Sequence, residues 1–281
     1  MNKLLTIVIP SYNSKKLVLS HIKKISKKFK IIIVENSQDI LLKKLINKKY
    51  TNVSIYLKKN IGYGRAINYA ATLIDTKYFF VINPDTKLYK NTLKRLLSMS
   101  QKIPRFGMIS PEHLDNKNKN QNLLIERKML NGAAMLFQTK IFKKIRGFDN
   151  KIFLYYEEND YFKKCNNLRL KLYTVTNCYH YHTTNGDTSS AIFQNSEEKY
   201  YSQLISGWHG QWSKFYYIKK HDGYLKSLIK CTPNLIVNII QLILNFLIKP
   251  KKAKYIYYKI EGLLCSIIGL PSFKRSKFDK D

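Results

Sequence analysis

The sequence predicts an α/β fold, a mostly parallel central sheet flanked by helices, and three observations predict it. Short apolar runs occupy residues 4–9 (LLTIVI), 31–34 (IIIV) and 78–82 (YFFVI). Helical periodicity fills the first interval between them, with Val18, Ile22, Ile25 and Phe29 on one face and Lys15, Lys16, Lys23, Lys24, Lys27 and Lys28 turned largely away. Polar residues close every run. Unbroken apolar runs suit strands buried on both faces, and strand–helix–strand is the unit from which parallel sheets are assembled.

The first run has the look of a secretory leader, but Pro10 ends it after six residues. An apolar leader core needs roughly 7–15, and no small-residue cleavage site follows. It is read as a buried strand. The four cysteines, Cys165, Cys178, Cys231 and Cys265, are widely spaced and form no CxxC pair. A disulfide scaffold is excluded and a reducing, cytoplasmic setting is expected.

The 281 residues carry 50 Lys and Arg against 18 Asp and Glu, a formal net charge of +32. Such a balance admits nucleic acid, an anionic membrane surface or a phosphorylated substrate as partner. About six lysines stand for every arginine, whereas base and phosphate readers favour the bidentate guanidinium fork. Nucleic acid is therefore not expected as a partner. Hydrophobic content of 44%, with 13% aromatic residues, excludes a disordered chain.

Ligands of open α/β sheets bind outside the carboxyl ends of the strands. Ser11, Tyr12 and Asn13 follow the first run, Glu35, Asn36 and Ser37 the second, and Asn83, Pro84, Asp85 and Thr86 the third. Each group alone reads as a turn; the three together make a crevice of hydrogen-bonding and acidic side chains. Further on, Glu157, Glu158 and Asp160 place three carboxylates in four residues, behind Phe153, Tyr155 and Tyr156. Crowded carboxylates raise one another's pKa, which suits a general base near neutral pH. His180 and His182, two residues apart, share a face of an extended segment. No cysteine accompanies them, so tetrahedral zinc is not expected.

In chain order, IVIPSYNS (7–14), IIVENS (32–37), KNIGYGRAINYA (59–70), FFVINPDT (79–86), the stretch 131–164 and HYHTTNGDTS (180–189) resemble the family 2 inverting glycosyltransferases with a GT-A fold. The likeness is strongest to rhamnosyltransferase-like enzymes of bacterial surface polysaccharide and O-antigen synthesis, and it covers roughly residues 4–190. It implies a nucleotide-sugar donor, dTDP-rhamnose or a UDP-sugar, held by Ser11, Tyr12, Asn13, Glu35, Asn36, Gly62, Arg65 and Asn83. It implies a divalent cation, Mg²⁺ or Mn²⁺, on Asp85, with His182 and His180 near the donor diphosphate. Glu158 is the implied base, and Glu157 and Asp160 its acceptor-positioning or structural partners. Two departures stand out: Asn83 replaces the first carboxylate of the family's acidic pair, and position 158 is Glu rather than Asp. They leave open a catalytically inactive scaffold with the same fold.

The character changes near residue 200, so residues 1–200 are expected to form the glycosyltransferase domain and residues 201–281 a helical, membrane-associating extension. Trp208, Trp212, Phe215, Tyr216 and Tyr217 form an aromatic belt suited to a membrane interface, to sugar stacking or to packing on the first domain. Pro233 and Pro250 bracket the apolar pattern LIVNIIQLILNFLI, with Asn234, Asn238, Gln241 and Asn245 as one polar stripe. About 16 residues give roughly 24 Å of helix, short of the roughly 30 Å bilayer core. The helix is expected to lie in the interface, with Lys226, Lys230, Lys249, Lys251, Lys252 and Lys254 on anionic headgroups. The expected location is peripheral, on the cytoplasmic face of the inner membrane beside a lipid-linked glycan acceptor. A helical pair packed on the sheet domain is the alternative.

Overall fold

The structure, a computed structural model, describes residues 3–25, 28–114, 123–182, 193 and 195–279. Its first half is the predicted unit. Strands β1 (Leu5–Ser11), β2 (Lys30–Glu35), β3 (Val53–Leu57) and β4 (Tyr78–Ile82) lie in the order β3-β2-β1-β4, all parallel. Helices α1 (Lys15–Ile25), α2 (Ile40–Lys49) and α3 (Tyr63–Thr72) connect them. The unbroken runs follow from burial on both faces. Ile7 and Ile9 join Val18, Ile22 and Phe80 in one core layer, while Val8 joins Ile32, Ala66, Ile67 and Phe79 in the other. β3 escaped the sequence reading because it is an edge strand whose run, VSIYL, is only partly buried.

Beyond β4 the sheet is mixed. The elements are β5 (Thr86–Leu88), α4 (Thr92–Lys102), β6 (Met108–His113), β7 (Leu124–Arg127), β8 (Ala134–Gln138), α5 (Thr139–Lys144), α6 (Glu157–Asn167) and β9 (Leu172–His182). β8 runs antiparallel to β4 and β6, and β9 runs antiparallel to β5 and β7 but parallel to β6. The expected α/β sheet flanked by helices is therefore present, all parallel over its first four strands and mixed beyond them. Strand order reverses between β1 and β4, which opens a crevice at their carboxyl ends.

Gly62, which opens α3, has φ +87°, a backbone conformation that side-chain-bearing residues rarely adopt. A Cβ there would also collide with the Phe153 carbonyl oxygen, which accepts from Tyr63 N at 3.2 Å. Gly62→Ala is expected to cost about 2 kcal/mol or more, lowering Tm by roughly 4–8 °C in a thermal melt.

The carboxy-terminal part is helical: α7 (Ser196–Asp222), α8 (Tyr224–Asn245) and α9 (Pro250–Ile267). The aromatic belt on α7 packs inward, with Trp208, Trp212 and Phe215 buried and the Tyr216 hydroxyl donating to Asp149 Oδ2 at 2.9 Å. The length expected for the apolar helix is corrected. Pro233 lies inside α8, which starts at Tyr224, so the helix has 22 residues and is long and apolar enough to cross a membrane by length and composition. The polar stripe is also broken: Asn238 is buried and accepts from Lys259 Nζ of α9 at 3.2 Å, while Asn234 and Gln241 are exposed.

After α9 the chain returns across α7. Trp212 Nε1 donates to Leu270 O at 2.9 Å, and His209 Nε2 donates to Lys274 O at 2.9 Å. His209 Nδ1 then accepts from the Ser272 hydroxyl at 3.0 Å. Burial pushes the His209 pKa down to about 3, so the ring is neutral and that tautomer is fixed.

Candidate active site

A cleft of about 580 Å³ opens at the carboxyl ends of β1 and β4. Ser11, Tyr12, Asn36, Asn60 and Gly62 line it together with Asn83, Asp85, Glu157 and Glu158. Asp85 lies three residues beyond the end of β4 and is almost fully buried. Behind it, His21 Nε2 donates to Pro84 O at 2.9 Å, fixing the turn that presents the carboxylate.

Glu157 and Glu158 begin α6, where the free backbone N–H groups of a helix amino terminus favour negative charge. The turn that aims them is strained. Tyr155 and Tyr156 both have φ +67°, a left-handed conformation that costs aromatic residues of order 1–3 kcal/mol each and clusters at functional sites. Tyr63, from the first turn of α3, sits among the acids. Its hydroxyl lies 2.8 Å from Asn83 Oδ1 and 3.0 Å from Gly132 O, donating between them. Its pKa is raised well above the usual value, by burial first and then by Glu158, Glu157 and Asp85.

The two glutamates are held protonated to higher pH than ordinary carboxylates. Burial raises Glu157 most, and Glu158 beside it adds repulsion; burial also raises Glu158, which keeps solvent access only through the cleft. Glu157 Oε1 is buried with no hydrogen-bond partner among the described residues. Glu158 packs on Gly132, where a Cβ would overlap its carboxylate. Gly132→Ala is expected to displace Glu158 and lower turnover roughly 10–100-fold, with donor affinity in calorimetry little changed.

Other residues singled out in the sequence lie outside the cleft lining. Glu35 is sealed beneath it: Oε2 accepts from the Ser11 hydroxyl at 2.5 Å and Oε1 from Ser37 N at 2.8 Å. Asn13 Nδ2 turns to Glu198 Oε1 at 2.9 Å, and Arg65 Nε donates to Asn150 O at 2.5 Å. Asp160 points away from the cleft and anchors α7, with Lys220 Nζ at 2.5 Å, His221 Nε2 at 2.8 Å and Lys164 Nζ at 3.2 Å. His180 is fully buried, packed edge-on to His113 with ring centroids 5.1 Å apart. His182 pairs with Thr86 across β5 and β9, next to Asp85 in register; its side chain and residues 183–189 of the histidine motif lie outside the described residues. Tyr63, Asn60 and Gly132 belong to segments that carry the family resemblance, but only the fold shows that they meet at one cleft.

A family model described as "Glycosyl transferase family 2" matches residues 6–167, more than half of the sequence. The chain belongs to that family. Among solved structures, this family 2 glycosyltransferase is similar to the mannosyltransferase PcManGT from Pyrobaculum calidifontis in complex with GDP-Man and Mn²⁺, at TM-score 0.57 and 12% identity over 94% of this chain and 86% of that one. It is similar to GalNAc-T7 with UDP, GalNAc and Mn²⁺, at TM-score 0.56 and 12% identity over 78% of this chain. The match covers only 51% of GalNAc-T7. S. aureus TarS 1–349 is similar at TM-score 0.51 and 13% identity over 95% of this chain and 92% of that one. At these identities the likeness establishes the GT-A type of fold. No curated protein matches the sequence.

Proposed function

We propose that the protein is a metal-dependent, inverting glycosyltransferase that moves a sugar from a nucleotide-diphosphate donor to a lipid-linked saccharide. One observation carries the reading: in a family 2 chain, Asp85 and the Glu157–Glu158 pair share one cleft at the switch point of the sheet. Support for the donor class comes from GDP-Man with Mn²⁺ in PcManGT and UDP with Mn²⁺ in GalNAc-T7. Among donors, dTDP-rhamnose and UDP-sugars are favoured by the sequence resemblance, as is a role in surface polysaccharide or O-antigen synthesis.

The side chains fit a hard cation. Among the described residues no cluster of three or more His, Cys, Asp or Glu forms a metal cage. A single oxygen ligand such as Asp85 suits Mg²⁺ or Mn²⁺, which take one or two carboxylates and complete their shell with phosphate oxygens and water. When bound, the cation supplies Lewis acidity that neutralises the leaving diphosphate.

Ser11, Tyr12, Asn36, Gly62 and Asn83 orient the donor. Glu158 takes the proton of the acceptor hydroxyl as its oxygen attacks the anomeric carbon and the bond to the donor diphosphate breaks, and burial holds the Glu158 pKa above the ordinary carboxylate range. Tyr155, Tyr156 and Ser206 also line a neighbouring cavity of about 610 Å³ with Gln203, Gln211, Tyr255 and Lys259, whose rings and amides suit a saccharide acceptor.

A membrane-bound acceptor accords with α8. Only 17% of its most apolar stretch is buried, and Ile236, Val237, Ile240, Ile243 and Leu244 are exposed. Lysines at its ends suit anionic headgroups at a cytoplasmic membrane face. Calorimetric titration of UDP-, dTDP- and GDP-sugars with and without Mn²⁺ or Mg²⁺ tests the donor reading. Metal-dependent binding of at least one is expected, and binding of none would contradict it.

A further inference from the structure

The acid that follows β2 lies out of a donor's reach, because Glu35 is fully buried and sealed beneath the cleft lining by Ser11 and Ser37. Another carboxylate stands at that end of the cleft. Asp279 lines it beside Tyr12 and Asn60. Its Oδ1 accepts from the Tyr12 hydroxyl at 2.8 Å and from Asn60 Nδ2 at 3.0 Å, and its Oδ2 accepts from Ser276 N at 3.1 Å.

We propose that Asp279 reads the donor's nucleobase, accepting a hydrogen bond from a ring N–H of the kind uracil, thymine and guanine present beside a carbonyl. The inference rests on the donor reading above and adds its base specificity. Topology sets the orientation. Asp85 and the glutamate pair lie at the β4 side, where the diphosphate and reacting sugar belong, so the nucleoside extends toward the ends of β1 and β2. Asp279 meets it there. An ionised carboxylate only accepts hydrogen bonds; cytosine offers an acceptor at its ring N3, which faces repulsion instead.

The segment bearing Asp279 is built into the fold at several points. Besides the holds from Trp212 and His209, Lys274 Nζ lies 2.8 Å from Glu261 Oε2, and the Arg275 guanidinium sits 3.7 Å above the Phe153 ring. Lys277 Nζ pairs with Glu197 Oε1 at 2.5 Å. An acceptor held in place in this way discriminates, because a base that presents another acceptor meets repulsion where the right one donates.

The test is calorimetry of the full chain with UDP, GDP and CDP in the presence of Mn²⁺, for the wild type and Asp279→Asn. The amide keeps the shape of the carboxylate and can still accept from Tyr12 and Asn60. The wild type is expected to bind UDP or GDP at least about tenfold more tightly than CDP. Asp279→Asn is expected to weaken that binding roughly tenfold and to collapse the preference over CDP, a ratio that a merely structural role leaves unchanged. An unchanged ratio in the variant, or a wild type indifferent to the base, overturns the assignment while leaving the donor reading intact. Tighter UDP binding by the variant also overturns it, since Asp279 then acts as a plug that the donor must displace. A wild type that binds no nucleoside diphosphate sinks the donor reading and this one with it.

Discussion

Glu158→Gln is expected to lower kcat by about 10²–10⁴-fold, the usual contribution of a positioned general base, and to leave donor affinity within about twofold. The amide matches the carboxylate in size and still fits over Gly132, so packing is preserved while the proton acceptor is lost. The two readouts separate a base from a binding residue: an interaction used only in the transition state lowers kcat without weakening ground-state binding. The pH profile adds a second signature. Burial raises the pKa of both glutamates, with repulsion from Glu158 added at Glu157, so the pair stays protonated above the ordinary carboxylate range. A base must be deprotonated to act. kcat/KM is therefore expected to rise with pH through a limb above that range, reported as an apparent value of the pair. In Glu158→Gln that limb disappears. Near-normal turnover in the variant would sink the base assignment.

Asp85→Asn carries the other large effect. Replacing the carboxylate with an amide keeps the turn fixed by His21 and Pro84 but removes the charge that holds a divalent cation. Metal-dependent donor binding is expected to fall by tenfold or more, on the order of the loss of one charge-assisted contact, and turnover to fall further because the leaving diphosphate is no longer neutralised. Titrating the donor at several Mn²⁺ concentrations checks this. The wild type should show affinity that climbs with Mn²⁺, and the variant a flat dependence.

Much of this cleft was legible in the sequence because it is made of strand ends. β1, β2 and β4 are buried on both faces, so their runs are unbroken and the first polar residue after each marks the crevice. Asp85 and the Glu157–Glu158 pair could be placed from that rule and from the preference of acids for a helix amino terminus. Whether an acid after a strand faces the ligand is a finer matter. Glu35 looked equivalent to Asp85, yet two serines seal it below the surface, a result of local hydrogen bonding that strand periodicity does not carry. Asp160 shares a turn with the catalytic candidates, but its rotation about α6 delivers it to Lys220 and His221 of a helix some sixty residues away. Asp279 left no local signal, since its place depends on how the chain beyond α9 is caught by Trp212 and His209 and returned to Tyr12, 267 residues earlier. The length of α8 departs from expectation for a simpler reason: a proline beside an apolar pattern reads as a helix boundary, whereas α8 runs through Pro233.

Transfer of sugars from nucleotide donors in this cleft, with the help of a divalent cation and Glu158, is checked by measuring nucleoside diphosphate release from the tightest-binding nucleotide sugar, with Mn²⁺, by the wild type and Glu158→Gln in parallel, using membrane lipid extract as acceptor source. The wild type is expected to release the diphosphate, chelation of the metal to stop it, and the variant to bind donor without releasing it. Release that survives both chelation and the substitution would contradict this mechanism.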